Sequence, residues 1–401
     1  MPDVAEIFRL GVNYWPAQTA MEWLARYDPM VVRRDFARIA AAGMDTVRIF
    51  LRWDDFQRSD TSIDSAALSS IVDTANAASE ANVDLIVTLF TGHMSGVNWI
   101  PAWATGCGDS DDRFRVVSGG LVQPGRRVPR NWYADAEIAD AQALLADRVA
   151  SALSGHPAVW AWDLGNENSN CTIPPDQTVA DRWLERISSV LRAHNPRVLI
   201  TVGTHMEDLE DERMIGPAEA ARWCDFVCMH GYPVYADWST GPLDEHLVPF
   251  LAELTSWLAA DTPVFFSEFG QSTPPRRAAP SPQQVGEDDA AHYTGATLDA
   301  LHACGSIGAL IWCYADYDTR LHGRPPLDLA EHERTFGLWR ADGTPKPAVA
   351  EIGARRGRTC LSPTGARPWL DLTVDEFVSD RRAHIRRLYH RYLQSHVVDE
   401  S

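Results

Sequence analysis

The chain lacks what a membrane-spanning, exported or nucleic-acid-binding protein needs. No uninterrupted apolar run reaches the roughly 20 residues that cross a bilayer. The opening segment, "MPDVAEIFRLGVNYWP", has no basic stretch followed by an apolar one. Cleaved secretion is therefore not expected, and the expected location is the cytoplasm. Positive charge is scarce: 36 Lys and Arg stand against 55 Asp and Glu, giving a net charge of -19 over 401 residues. Such a chain repels phosphate backbones and anionic lipid, so the expected partner is a neutral small molecule, with no nucleic acid and no membrane. Cysteine is sparse and odd in number, seven in all, with no paired zinc spacing. Cys224, Cys228 and Cys313 read as reduced core thiols, and no metal or other cofactor is expected. Repeats of solenoid period are missing too, and "TPPRRAAPSPQQ" is too short to link domains.

Tryptophan, by contrast, is abundant. Its 15 copies exceed the 13 Phe and 10 Tyr, and flat indole faces suit the C–H faces of sugar rings, although many of these residues must be ordinary packing. Eight short runs are β-branched or aromatic and apolar enough to be buried on both faces: "RLGVNYW", "DTVRIFLRW", "VDLIVTLF", "AVWAWDLG", "RVLITVG", "CDFVCMHGY", "PVFFSEFG" and "GALIWCYAD". Amphipathic helices lie between most of them. One opens with Asp28 and Pro29, and another is expected to open the same way with Ser281 and Pro282. Eight buried strands alternating with helices predict an α/β protein, a (β/α)8 TIM barrel.

Loop lengths orient that barrel. Connections entering strands are short, whereas those leaving them are often long: 92–133, 204–222, 271–281 and 316–337. Loops after the strands build the active face of such barrels. The stretch 92–133, with "TGCGDSDD" and "PGRRVPR", reads as a wall or lid over a pocket, with a surface excursion as the alternative. Residues 1–357 are expected to form the barrel and 358–401 a linker and one final helix. Phe377, Ile385, Leu388, Tyr389 and Tyr392 would dock that helix on the barrel or on a second copy of the chain, so a homo-oligomer stays open.

Chemistry is sought among polar residues at the trailing ends of strands, where a core does not want them. The second strand gives Arg48, the third His93, the fourth Asn166 and Glu167, the sixth His230 and Tyr232, the seventh Glu268, and the eighth Trp312 and Asp316. A buried unpaired charge costs several kcal/mol, so Arg48, Glu167 and Glu268 must meet partners. Two carboxyl groups flanking a bond are what glycoside hydrolysis uses. Glu268, with Arg48 and Tyr232 in reach, is expected to stay ionised and attack. Glu167, with no evident fixed cation, is expected to have a raised pKa and to donate a proton. Trp53, Trp99 and Trp103 are candidate walls for the sugar, and Asp318 and Asp316 are either hydroxyl ligands or loop caps. "HMEDLEDE" reads as a solvated acidic helix start rather than a calcium site. Each of these residues has a plainer reading: Arg48 as a structural ion-pair partner, His93 and His230 as satisfied core histidines.

The motifs "GNEN", "SEFG" and "HGY", the lone arginine of "TVRIF" and the tryptophan of "LIWCY", in this order on successive strands, resemble clan A of the glycoside hydrolases and within it family 5. The resemblance spans roughly residues 7 to 355. It implies a retaining mechanism, with Glu167 as acid/base and Glu268 as the nucleophile that forms a glycosyl-enzyme. It also implies that Asn166 bonds the sugar 2-hydroxyl, His93 bonds another hydroxyl, Trp312 floors the ring, Arg48 and Tyr232 hold Glu268, and His230 lines the site. The family often has proline after the acid/base glutamate, where this chain has Asn168. The expected function is a retaining β-glycosidase acting on short β-linked oligosaccharides or glycosides, mannosides or glucosides first. Long loops after the third and eighth strands would make it exo-acting. A transglycosylase or tailoring enzyme using the same intermediate, and a non-catalytic sugar-binding barrel, are the alternatives.

Overall fold

The eight apolar runs form eight strands: β1 Arg9–Asn13, β2 Thr46–Arg52, β3 Asp84–Thr91, β4 Val159–Asn166, β5 Leu199–Gly203, β6 Val227–His230, β7 Val264–Phe269 and β8 Gly308–Ile311. A computed structural model describes residues 6–108, 113–275, 280–363 and 366–397. The strands pair in parallel in the order β5-β4-β3-β2-β1-β8-β7-β6. Just beyond β5 the sheet closes on itself. His205 bridges His230 there, with the His230 N–H donating to Thr204 O at 2.9 Å and the Met206 N–H to His230 O at 3.0 Å. With helices between the strands, this is a (β/α)8 barrel. Every residue of β2, β5, β6, β7 and β8 is buried. One face fills the barrel and the other meets helices, which is why these segments read as apolar runs without alternation.

Aspartate starts four of the barrel helices. Asp28, Asp64, Asp135 and Asp176 cap Pro29–Ala41, Ser65–Ala81, Ala136–Ala152 and Gln177–His194 by accepting backbone N–H bonds, each contributing about 1 kcal/mol. The start expected at Ser281 does not occur; that helix runs Glu287–Ala303 after Gly286. Ser281 instead closes a turn with the Gln284 N–H at 2.9 Å. The Gln284 amide then donates to Thr335 Oγ1 at 3.0 Å, which draws the segment onto the loop after β8.

Two additions complete the molecule. The long connection after β3 folds into a small sheet of His93–Met94, Val97–Trp99, Arg115–Ser118 and Leu121–Val122, beside a pair Thr105–Cys107 and Arg127–Pro129. Residues 109–112 of "TGCGDSDD" lie outside the described residues. At the C-terminus there are two helices, Val374–Ser379 and Arg381–Val397, where one was expected. Asp380 leaves helical geometry at φ -155° and separates them. Phe377, Ile385, Leu388, Tyr389 and Tyr392 are buried. Tyr389 and Tyr392 pack on Phe250 of Leu247–Leu258, with ring centroids 5.0 and 5.4 Å away. Arg381 and Arg382 pair with Glu212 and Asp211 in the loop after β5. No helix among the described residues is long and apolar enough to cross a membrane.

Candidate active site

At the C-terminal ends of the strands lies a cavity of about 240 Å³, small even among small-molecule pockets. Glu167, Glu268, Asn166, His93, His230, Tyr232 and Trp312 all line it. β4 delivers Glu167 through an unusual backbone. Gly165 has no side chain because a Cβ there would lie 2.4 Å from the Asn168 amide, and Glu167 itself adopts φ 48°, ψ 46°. A left-handed non-glycine residue costs about 1–3 kcal/mol and persists where the surroundings over-determine it. Here that strain turns the carboxylate into the cavity. Asn168, in the place where proline was a reference point, begins a short 3-10 turn ending at Asn170. The Asn170 amide donates to Glu167 Oε2 at 3.1 Å.

Arg48 does not reach the cavity. It is fully buried beneath it and organises its base. Its Nη1–H donates to Glu268 Oε1 at 2.6 Å, Nη2–H to Asp163 Oδ2 at 2.6 Å and to Asn166 Oδ1 at 2.8 Å, and Nε–H to Thr88 Oγ1 at 3.0 Å. Room for this guanidinium comes from Gly203, where a Cβ would sit 2.8 Å from Nη2. The Tyr232 hydroxyl donates to Glu268 Oε2 at 2.9 Å. Glu268 is therefore held on both oxygens by fixed donors. His230 stands between the two acids, its Nδ1 3.0 Å from Glu167 Oε1 and 3.7 Å from Glu268 Oε1. Single donor atoms from Glu167, His230 and Glu268 all lie within 4.8 Å of one another. Such a trio could bracket a cation, but Arg48 already supplies a positive charge at Glu268.

Tautomers follow from the partners. Arg48 only donates and faces His230 Nε2 at 3.4 Å, so that nitrogen carries the lone pair and Nδ1–H points to Glu167. Asn98 Oδ1 only accepts and lies 2.8 Å from His93 Nδ1. That leaves His93 Nε2 as the acceptor, 4.0 Å from Glu167 Oε2. Burial lowers the His93 pKa.

The two acids differ from the sequence expectation. Burial raises the Glu268 carboxyl, with His230 and Arg48 opposing and Glu167 adding to the rise. Burial also pushes Glu167 up, but the imidazoles of His205, His230 and His93 outweigh it and hold that carboxyl below the usual carboxylate range. The expected division is reversed in this structure, for two physical reasons. Arg48 divides its charge between Glu268 and Asp163, and three imidazoles from the ends of β3, β5 and β6 ring Glu167.

Several sequence candidates belong elsewhere. Trp53 is buried, donates to Gln57 Oε1 at 2.7 Å and packs edge-on against Trp103 and Trp132. Trp99 is buried under the Arg52 guanidinium, 5.3 Å from its ring centroid. Trp103 lines a separate charged surface hollow with Arg52, Asp54 and Asp55. Asp316 accepts from Lys346 Nζ at 2.7 Å and the Gly337 N–H at 3.0 Å and faces away from the cavity. Burial lifts its pKa to about 6 with Lys346 opposing. Asp318 caps the turn at Arg320. Residue type marks all of these as candidates, but side-chain direction is not written in the type.

Other residues of the site escaped sequence reasoning. Asp163 is a charge inside the buried strand "WAWDLG", the same signal that singled out Arg48. His205 directly follows β5, and its Nε2 lies 3.0 Å from Ser169 Oγ. Tyr235, on the turn just after β6, and Glu333, on the loop after β8, left no signal.

Comparisons agree with this geometry. The family model for cellulases of glycosyl hydrolase family 5 matches residues 11–318, a span that holds most of β1, all of β2 to β8 and both glutamates. A GH5_18 protein from Streptomyces cattleya, solved in complex with Manb1-4GlcNAc, is 25% identical with a TM-score of 0.76, over 96% of this chain and 90% of that one. An exo-beta-1,4-mannosidase from Opitutaceae bacterium strain TAV5 is 25% identical with a TM-score of 0.71, over 88% of this chain and 61% of that one. A GH5_18 protein from Bifidobacterium longum subsp. infantis, 22% identical, shares the fold at a TM-score of 0.77 over 98% of this chain and 90% of that one. No curated protein matches the chain.

Proposed function

Because the chain belongs to glycosyl hydrolase family 5, we propose that it is an exo-acting, retaining β-mannosidase working on short neutral β-mannosides in the cytoplasm. The observation that carries the reading is the closeness of the acids. Oxygens of Glu167 and Glu268 lie within 4.8 Å, near the roughly 5–5.5 Å carboxyl separation of retaining enzymes and short of the roughly 6.5–9.5 Å that leaves room for an inverting water. Glu268, held by Arg48 and Tyr232, attacks the anomeric carbon and forms an ester as the aglycone departs. Glu167 gives its proton to the departing oxygen, then takes one from the water that opens the ester.

A sugar seated over Glu167 removes water and disfavours the ionised carboxylate, which favours the proton-bearing acid that the first step needs. The His230 Nδ1–H, 3.0 Å from Oε1, stays on its ring and orients the carboxyl. Asn166 keeps one amide N–H beyond its bond to His93 O at 2.8 Å, free for a sugar hydroxyl, and His93 Nε2 accepts another.

Exo action is supported by a tie across the cavity. The Ser95 hydroxyl, after β3, donates to Glu333 Oε2, after β8, at 3.0 Å. Mannose as the glycone is supported by the Streptomyces cattleya and Opitutaceae relatives. The test is a panel of nitrophenyl β-glycosides together with Manb1-4GlcNAc. Fastest release from the mannoside, with free mannose from the disaccharide, is expected. No release from any member would overturn the reading; so would cleavage inside a mannan without free mannose.

A further inference from the structure

Glu333 sits on the short helical turn Glu331–Thr335, beyond the span matched by the family. Its side chain is 8% exposed, and that exposure opens onto the cavity. Three loops converge on it. The Tyr235 hydroxyl donates to Oε1 at 3.1 Å, the Trp312 indole N–H to Oε2 at 3.2 Å and the Ser95 hydroxyl to Oε2 at 3.0 Å. All three donors are neutral. Among the described residues its basic neighbour is His332, with Nε2 3.7 Å from Oε1. That nitrogen lies 2.7 Å from the Tyr235 oxygen, so the protons run His332 to Tyr235 to Glu333.

A carboxylate offers about four acceptor positions. Two on Oε2 and one on Oε1 are filled, and the remaining Oε1 position is available at the cavity wall. A buried carboxylate short of a cation is costly to keep, and a donor from a ligand would relieve it. Trp312 fixes where that donor comes from, because its indole edge is bonded to Glu333 while its ring lines the same cavity. A sugar lying on the ring brings its hydroxyls to that edge. Resting on the glycosidase reading of the site, we infer that Glu333 is a specificity-determining residue that accepts a ring hydroxyl of the glycone through Oε1.

The test couples a protein change to a substrate change. kcat/KM is measured for wild type and E333Q on nitrophenyl β-mannoside and on its 3-, 4- and 6-deoxy forms. The hydrogen bond to a charged acceptor is expected to be worth about 10- to 100-fold. E333Q loses that factor on the parent, and one deoxy substrate loses it with wild type but loses nothing more with E333Q. Equal losses by E333Q on the parent and every deoxy form would overturn the inference, as would no loss at all. Y235F, which removes a donor but keeps the carboxylate, retains the coupling. Calorimetric binding of methyl β-mannoside and its deoxy forms to E268Q and to E268Q/E333Q reads the same coupling without turnover. Coupled binding in a chain that hydrolyses no glycoside would sink the hydrolase reading and leave Glu333 in its role; additive binding would sink the role of Glu333 alone.

Discussion

Asp316 and Glu333 both follow β8, and both are buried carboxylates, yet they do opposite things. Asp316 has Lys346 at 2.7 Å and a backbone N–H at 3.0 Å, and it turns away from the cavity. Glu333 is bonded by neutral groups from three loops and turns toward it. The same contrast divides the tryptophans: Trp53 and Trp99 are enclosed by other rings and an arginine, while Trp312 lines the cavity. Burial alone therefore does not mark a functional group. The mark is a partner set left incomplete on the side that faces open space.

Variants on the two sides of this contrast should behave differently. The largest effect is expected on the cavity side: Glu268→Gln should cut kcat by about 10⁴-fold or more with little change in thermal midpoint. A variant with normal turnover would remove Glu268 as nucleophile. On the packed side, Lys346→Met leaves Asp316 buried without its cation, at a cost of about 3–5 kcal/mol in urea unfolding. The folded fraction should lose far less kcat/KM than E268Q does; a comparable loss would erase the distinction between the regions.

Tyr232→Phe sharpens the comparison through pH. The proposed mechanism needs Glu268 ionised, and burial raises its pKa. Turnover is therefore lost as pH falls through a value above the ordinary glutamate pKa of about 4.3. The Tyr232 hydroxyl favours the carboxylate, so removing it should move the acid limb of kcat/KM to higher pH. An unmoved limb would mean that this donor does not tune the nucleophile. The smallest effect belongs to Trp53→Phe, which forfeits the bond to Gln57 and some packing. About 1–2 kcal/mol of stability should go, and KM should stay put; a raised KM would return Trp53 to the substrate site.

The barrel was legible because two-sided burial writes itself as uniform apolar runs, and Asp28 before Pro29 marks where the first barrel helix starts. Arg48, Glu167, Glu268, His230 and Tyr232 were legible because a polar side chain at the end of such a run has to be explained. Asp316 met the same criterion, and Trp53 and Trp99 were candidates as indole walls; all three still point elsewhere, since residue type and position say nothing of rotamer or of a partner such as Lys346 from a later segment. The electrostatic split between the acids was hidden for a related reason: His205 and Asp163 come to the site from strands whose neighbours in space are distant in sequence. Glu333 could not be read at all, because a loop turn has no period that fixes its direction.

Oxygens of the two acids lie within 4.8 Å of each other, a spacing that predicts retention at the anomeric carbon. The most direct check is to follow the first-formed anomer by proton NMR during cleavage of nitrophenyl β-mannoside, before mutarotation. β-mannose appearing first is the expected result of double displacement by Glu268 with Glu167. α-mannose appearing first would contradict it.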